Sequence, residues 1–136
     1  MSEFDKKMPM TERLIMSVDL PGLPPIPTNG SHGHWAKKAA ARKKWKSMAM
    51  EYIAYHILNA LSGTKLPLEK AKLVLIRRSS VMGDADNSVA SFKPIVDALV
   101  SMKVLKDDNW NVIGQPELRL EKAPPGKGSI SVEVWA

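Results

Sequence analysis

The chain of 136 residues contains no cysteine. This absence excludes disulfide bonds, thiolate metal sites and a cysteine nucleophile together, and it fits a reducing compartment. No segment approaches the roughly 18–20 apolar residues that a membrane-spanning helix needs, and the first residues lack the basic region and apolar run of a secretory signal. We therefore expect a cytoplasmic protein that has no membrane partner.

The sequence also lacks the short motifs of several common enzyme classes. It has no phosphate-binding P-loop, no dinucleotide fingerprint, no nucleophile elbow and no metalloprotease helix. Any catalytic site in this chain must therefore be assembled from other residue types.

Acidic residues are fewer than basic ones. Fourteen Asp and Glu stand against 20 Lys and Arg, which gives a formal net charge of +6. Such an excess favours a polyanionic partner, because neutralising phosphates releases their counterions. Many basic proteins bind no nucleic acid, so the charge alone does not establish DNA binding.

Hydrophobic periodicity predicts one α/β (α+β) domain over residues 11–136, after a flexible leader at residues 1–10. The order is β-α-β-α-β-β, and we expect a compact mixed sheet with two helices. Pro94 should confine the regular part of the second helix to the residues from Lys93 onward, with a short separate turn before it. Trp45, Tyr52 and Phe92 are expected in the core, and His56 in the core or at its boundary. The predicted strands are residues 11–20, 71–76, 112–121 and 129–135, the last two forming a hairpin, and the predicted helices are residues 36–61 and 88–102, with a proline-rich loop at residues 21–35.

Two pairs of aspartates are candidates for a metal site. Asp84 and Asp86 follow the second predicted strand, and residues two apart in an extended segment point to the same side. Asp107 and Asp108 follow the second predicted helix. Carboxylate ligands of this kind suit Mg²⁺ or Mn²⁺ rather than zinc. The alternative is that the first pair caps a helix and the second forms a polar turn.

Basic side chains are grouped in two places that precede the aspartate pairs in the sequence. Several lie in the first turns of the long predicted helix, and two more stand between the second strand and the first aspartate pair. They could bind the phosphates on either side of a phosphodiester bond that is cleaved. A run of charge is, however, also typical of a solvated helix face. The candidate DNA-binding residues are Lys37, Lys38, Arg42, Lys43, Lys44, Arg77 and Arg78.

At these residues the chain resembles the RusA family of Holliday junction resolvases. The resemblance rests on Asp84-x-Asp86-Asn87, followed by Lys93, by Asp97-Ala98-Leu99 and by Asp107-Asp108. It closely covers about a third of the chain, and the element order and the basic first helix agree more loosely over most of the rest.

This resemblance implies a function and a set of site residues. RusA proteins are small homodimeric Mg²⁺-dependent endonucleases, often encoded by phages or prophages, that nick opposed strands of four-way junctions in DNA recombination and repair. Asp84, Asp86 and Asp108 would be the catalytic carboxylates that bind Mg²⁺, with Mn²⁺ as a possible substitute, and Asp107 could replace or assist Asp108. Lys93 would be the basic residue near the scissile phosphate. The segment between Asn87 and Lys93 is longer than in the family, which makes Lys93 the residue that most needs a structural test.

Two other functional classes compete with the nuclease. One is a non-catalytic basic DNA-binding protein of phage origin, whose acidic residues only cap a helix. The other is a protein-interaction module carried by a phage.

Overall fold

The computed structural model of the chain describes residues 13–24, 35–60, 65–81 and 85–136. The predicted leader and most of the proline-rich loop lie outside these residues. Among the helices of the described part, none is both long and apolar enough to cross a membrane. The strands are β1 (Leu14–Pro21), β2 (Lys72–Ser79), β3 (Glu117–Lys122) and β4 (Ser129–Trp135), and the helices are α1 (Trp35–Ala60), α2 (Ala85–Ala90), α3 (Lys93–Ser101) and α4 (Trp110–Ile113).

The four strands form one mixed sheet in the order β1-β4-β2-β3. β4 pairs antiparallel with both β1 and β2, while β2 pairs parallel with β3. The helices α2, α3 and α4 lie in the connection between the two parallel strands, as a parallel pair requires a crossover. The predicted α+β domain with a mixed sheet is confirmed.

The prediction that the last two strands form a hairpin is wrong. β2 lies between β3 and β4, so these consecutive strands do not pair. Burial is consistent with the arrangement, because Ile130, Val132 and Val134 on one face of β4 are almost fully buried and Ser131 on the other face is buried as well. β3 instead carries alternating charges, Glu117 and Arg119 among them, which suit a strand at the edge of a sheet.

The predicted third strand begins too early in the sequence. Residues 110–113 form the short helix α4, and the strand starts only at Glu117. The side chain of Asn109 caps this helix by accepting a hydrogen bond from the Val112 amide at 3.2 Å. Gly114 ends it with a positive φ of 58°, a conformation that favours glycine. Because of the Asn109 cap, Val112 and Ile113 are helical and not extended as predicted.

The split of the second helix near Pro94 is confirmed. α2 and α3 are separated by Ser91 and Phe92, and Pro94 lies in the first turn of α3, where its missing N–H is not needed. Phe92 is fully buried at this junction. The buried Phe92 side chain therefore fixes where α3 begins, and with it the position of Lys93.

One continuous core lies between the sheet and the helices α1 and α3. Trp45 and Phe92 are buried in it, as predicted. Tyr52 and His56 are only half-buried, and their rings stack with centroids 4.6 Å apart. The core residues of the sheet are Met16, Val18, Leu20, Leu73, Leu75, Ile130, Val132 and Val134, and they pack with Trp45, Ala49, Ile53, Phe92, Ile95, Ala98 and Leu99 of the helical layer.

Candidate active site

A cluster of three charged side chains, Lys93, Asp97 and Asp108, lies at the start of α3. The Lys93 Nζ lies 2.8 Å from Asp108 Oδ2 and 3.4 Å from Asp97 Oδ1. Asp97 is one helical turn beyond Lys93, while Asp108 is 15 residues away in sequence. We call these three residues the Lys93 cluster. It brings together two of the side chains, Lys93 and Asp108, that the sequence motif predicts for one site.

Asp108 reaches Lys93 because the chain reverses after α3. Lys103 adopts a positive φ of 63° at the reversal, and the Val104 amide donates to the Leu99 carbonyl at 2.9 Å. Val104 and Leu105 are then buried in the core. This apolar pair returns the chain along α3 and leaves Asp108 beside the first turn of the helix.

The two adjacent aspartates have different roles. Both carboxylate oxygens of Asp107 accept local hydrogen bonds, one from the Asp108 amide at 2.7 Å and one from Asn109 Nδ2 at 3.1 Å. Asp108 instead directs its carboxylate at the Lys93 ammonium. The sequence left open which of the two is a ligand. In the structure Asp107 holds the turn together, while Asp108 contacts Lys93.

The charges of Lys93 and Asp108 reinforce each other. The hydrogen bond from Lys93 is the main cause that lowers the pKa of Asp108 below its ordinary value. The same bond is the main cause that raises the pKa of Lys93. Both groups are therefore charged at neutral pH, and Asp108 is an ionised carboxylate held next to a positive charge.

We expect that Lys93→Met raises the pKa of Asp108 toward the ordinary aspartate range. Because the folded pKa lies below the unfolded one, the ion pair stabilises the fold at pH values above the unfolded pKa of about 3.9. That contribution is lost as the pH falls through the folded pKa. The Lys93 side chain is 59% exposed, so the stabilisation should stay below about 1 kcal/mol. An NMR titration of the Asp108 carboxyl carbon measures the pKa, with Lys106→Met as the control. An unchanged pKa in Lys93→Met would contradict the ion pair.

The predicted meeting of three aspartates stays a prediction. Asp84 and the side chain of Asp86 lie outside the described residues, although the backbone of Asp86 belongs to α2. Within the described residues, no group of three or more His, Asp and Glu side chains is placed to hold a metal ion. Asp108 is therefore the only member of the proposed ligand set whose side chain the structure describes.

The basic residues at the start of α1 lie mostly on the surface. Four of the five predicted DNA-binding side chains there are exposed, and Lys38 is half-buried. They occupy the first three turns of a 26-residue helix whose later turns supply Trp45, Ala49 and Ile53 to the core. The exposed residues are Lys37, Arg42, Lys43 and Lys44.

The structure corrects the surface role expected for Arg77. Its residue is only 8% exposed, on the helix-facing side of β2, and its Nη1 donates to the Pro24 carbonyl at 3.1 Å and to Ser91 Oγ at 3.2 Å. Burial also lowers its pKa below the ordinary arginine value. The side chain ties the segment after β1 to the junction between α2 and α3, which is a structural role and not that of a surface phosphate contact.

Arg78 points to the opposite face of the sheet. Its Nε lies 3.2 Å from Glu121 Oε1, and its Nη1 donates to Ser131 Oγ at 2.9 Å. Ser131 in turn donates to Asp19 Oδ1 at 2.5 Å. These contacts form a polar row across all four strands, so Arg78 is engaged in joining the strands of the sheet.

Arg77→Ala should lower the free energy of unfolding by about 2–3 kcal/mol, because the Pro24 carbonyl and Ser91 would lose a charged donor in a buried place. Chemical denaturation followed by circular dichroism measures the change. The matched control is Arg42→Ala, an exposed arginine of α1, which should change stability by less than about 0.5 kcal/mol. Equal effects in both variants would show that Arg77 has no special structural role.

Asp97 is the residue of the cluster to which sequence reasoning gave no role of its own. The motif contains it, but only its contact with Lys93 shows that it belongs to the site. The signal was present in the sequence, since a lysine and an aspartate four residues apart on a helix face each other.

The chain was also compared with known proteins. No family model matches it, and no curated protein does. The likeness to the RusA family therefore rests on the motif residues themselves.

Proposed function

We propose that the protein is a Mg²⁺-dependent endonuclease that resolves four-way DNA junctions by paired nicks, in DNA recombination and repair. The observation that carries the proposal is the 2.8 Å contact between Lys93 and Asp108. These residues are 15 positions apart in sequence, and the motif requires both of them at one site. The short helix α2 and the junction residues Ser91 and Phe92 precede Lys93, and the lysine still lies next to Asp108.

The described part of the proposed metal site fits a hard divalent cation. Asp108 is ionised and its side chain is 33% exposed, so a cation can reach it by sharing the carboxylate with the Lys93 ammonium, whose positive charge opposes the cation. Asp84, Asp86 and Asp108 together would offer only oxygen ligands, which Mg²⁺ prefers. When bound there, Mg²⁺ would supply activation of water and neutralisation of charge on the phosphodiester.

Lys93 has a defined part in this proposal. Its ammonium group is held by two carboxylates, so its position is fixed before DNA arrives. A fixed positive charge stabilises the negative charge that develops on a phosphate during cleavage, and it does so without reorganisation. Asp97 acts through Lys93 and is a positioning residue.

A symmetric dimer would supply the second cut. Each chain has one Lys93 cluster, and the two opposed nicks of junction resolution require two sites in matching orientation. A two-fold homodimer provides this arrangement. The exposed lysines at the start of α1 would hold the phosphate backbone of a DNA arm.

A cleavage assay on a synthetic four-way junction tests the proposal. We expect nicks in opposed strands with Mg²⁺ or Mn²⁺, none with EDTA, and much weaker cutting of a linear duplex of the same sequence. Binding without metal-dependent cleavage would favour the non-catalytic DNA-binding protein. The Lys93 cluster gives that alternative some support, since the lysine already neutralises Asp108 without a metal ion.

The double variant Lys43→Ala/Lys44→Ala should weaken junction binding and reduce its salt dependence. Each phosphate contact that is lost lowers the slope of log K against log salt by about 0.9 for duplex DNA. Fluorescence anisotropy at several salt concentrations measures the slope. The control is Lys122→Ala, on the edge strand β3, where the lysine donates to the Ser80 carbonyl. An unchanged slope in the double variant would exclude the start of α1 from the DNA interface.

A further inference from the structure

Trp110 is an exposed aromatic side chain beside the candidate active site. It is 69% exposed, at the first position of α4 and two residues after Asp108. Single apolar side chains on a protein surface are common, so exposure alone carries no conclusion. What distinguishes Trp110 is its position two residues after Asp108 and the set of hydrogen bonds that hold its turn in place.

The turn that presents Trp110 is fixed by hydrogen bonds on both sides. Before it, Asp107 accepts bonds from the Asp108 amide and from Asn109, and Asn109 caps α4 through the Val112 amide. After it, the Gly114 amide donates to the Trp110 carbonyl at 2.9 Å. The indole is therefore presented from a backbone with few alternative conformations, which reduces the entropy lost when it binds a ligand.

The same turn is fastened to the sheet. Val112 is buried, and its carbonyl accepts a hydrogen bond from the Ala71 amide at 2.9 Å, directly before β2. The other end of the turn is fastened at Asp108, through Lys93. Trp110 thus has a fixed relation to the Lys93 cluster.

The segments that hold the turn of Trp110 in place carry more basic than acidic residues. The segment at residues 65–71, which holds Val112, also pairs with residues 104–106 through Leu68. These two segments, with Lys103 directly before the second, carry four exposed lysines and one exposed glutamate, Glu69, which lies 3.8 Å from Lys106, while the turn itself carries the exposed Asp107 and the half-buried Asp108. The exposed lysines are Lys65, Lys70, Lys103 and Lys106.

We infer that Trp110 stacks on the face of a base pair that is exposed at the branch point of a DNA junction. The inference rests on the proposed function and deepens it, because it names a contact that distinguishes a junction from a duplex. Stacking on an aromatic ring tolerates any base, since every base has a π-face. In an intact duplex these faces are covered by neighbouring base pairs. Trp110 would therefore contribute selectivity for structure and not for sequence.

A second copy of this chain is a poorer occupant of the same surface. A two-fold interface places the same patch on both sides. The four lysines would then come close to their own copies, and like charges across an interface are unfavourable. A DNA arm is negatively charged, so its phosphates can pair with the lysines while a base pair stacks on the indole.

The test compares junction and duplex binding by Trp110→Ala in EDTA, so that no cleavage is needed. The junction carries 2-aminopurine at its branch point, whose fluorescence reports stacking. We expect Trp110→Ala to lose roughly 5- to 150-fold in junction affinity, the range of one base–aromatic stack, while duplex affinity stays nearly constant. Trp110→Phe should retain most of the affinity. The matched control is Trp135→Phe, on the sheet, which should alter neither.

Several outcomes would overturn the inference. Unchanged junction affinity in Trp110→Ala, or an equal loss for junction and duplex, would show that the indole does not read the branch point. If the wild-type protein sediments as a dimer and Trp110→Ala as a monomer, Trp110 belongs to a protein interface. A wild-type protein that does not prefer junctions would also overturn it. Failure of the nuclease proposal is seen separately, as junction binding that depends on Trp110 without cleavage in Mg²⁺.

Discussion

Replacing Asp108 by asparagine should reduce junction cleavage by about a thousandfold, since a catalytic metal ion contributes several kcal/mol and each 1.36 kcal/mol is a factor of ten. The substitution keeps the size of the side chain and removes its charge. It also removes the main partner of Lys93, whose Nζ lies 2.8 Å from the carboxylate. Both the proposed metal ligand and the position of the lysine would change. Single-turnover cleavage of the junction in Mg²⁺ measures the rate.

The neighbouring residue supplies the matched control. Asp107→Asn carries the same substitution one position earlier, where both carboxylate oxygens accept bonds within the turn. We expect a loss of about tenfold, the lower end of what outer-shell partners of metal ligands contribute. Similar losses in the two variants, or a larger loss in Asp107→Asn, would contradict the assignment of Asp108 to the site.

The second large effect is expected at Asp86. Asp86→Asn should abolish cleavage to a similar degree, while junction binding persists or becomes tighter because a negative charge that faces the phosphates is removed. Cleavage and binding must be measured on the same preparation, the latter by anisotropy in EDTA. This separation of the two activities is the signature of a catalytic carboxylate.

Asp19→Asn is the control for a general effect of charge. This aspartate lies on β1, where it accepts a hydrogen bond from Ser131, away from the Lys93 cluster. It should leave the cleavage rate of the folded protein unchanged. Normal cleavage by Asp86→Asn would place the active site elsewhere in the molecule.

Periodicity and turn residues predicted most of the fold. The alternation of Met16, Val18 and Leu20 identified β1, and the long stretch without glycine or proline identified α1. The order of strands could not be read in the same way. Whether β4 pairs with β3 or with β1 and β2 depends on which strand is buried on both sides, and that is a property of the whole sheet.

The candidate site was predictable where one motif contains both partners. Lys93 and Asp108 belong to the motif, and the structure places them in contact. Arg77 shows the opposite case. Its burial results from contacts with Pro24 and Ser91, 53 and 14 residues away in sequence, and no local pattern reports such contacts. Trp110 lies between Asp108 and the strand predicted from Val112, and no local pattern marked it, because the cap that forms α4 acts over only three residues.

The central claim is that Asp84, Asp86 and Asp108 hold one divalent cation beside Lys93. Anomalous diffraction from crystals of the protein grown with Mn²⁺ tests it most directly, because the anomalous signal locates the ion independently of the protein atoms. We predict one strong peak bound by all three carboxylates, with the Lys93 ammonium next to it. A peak that contacts other residues, or no peak at Asp108 at saturating Mn²⁺, would contradict the claim.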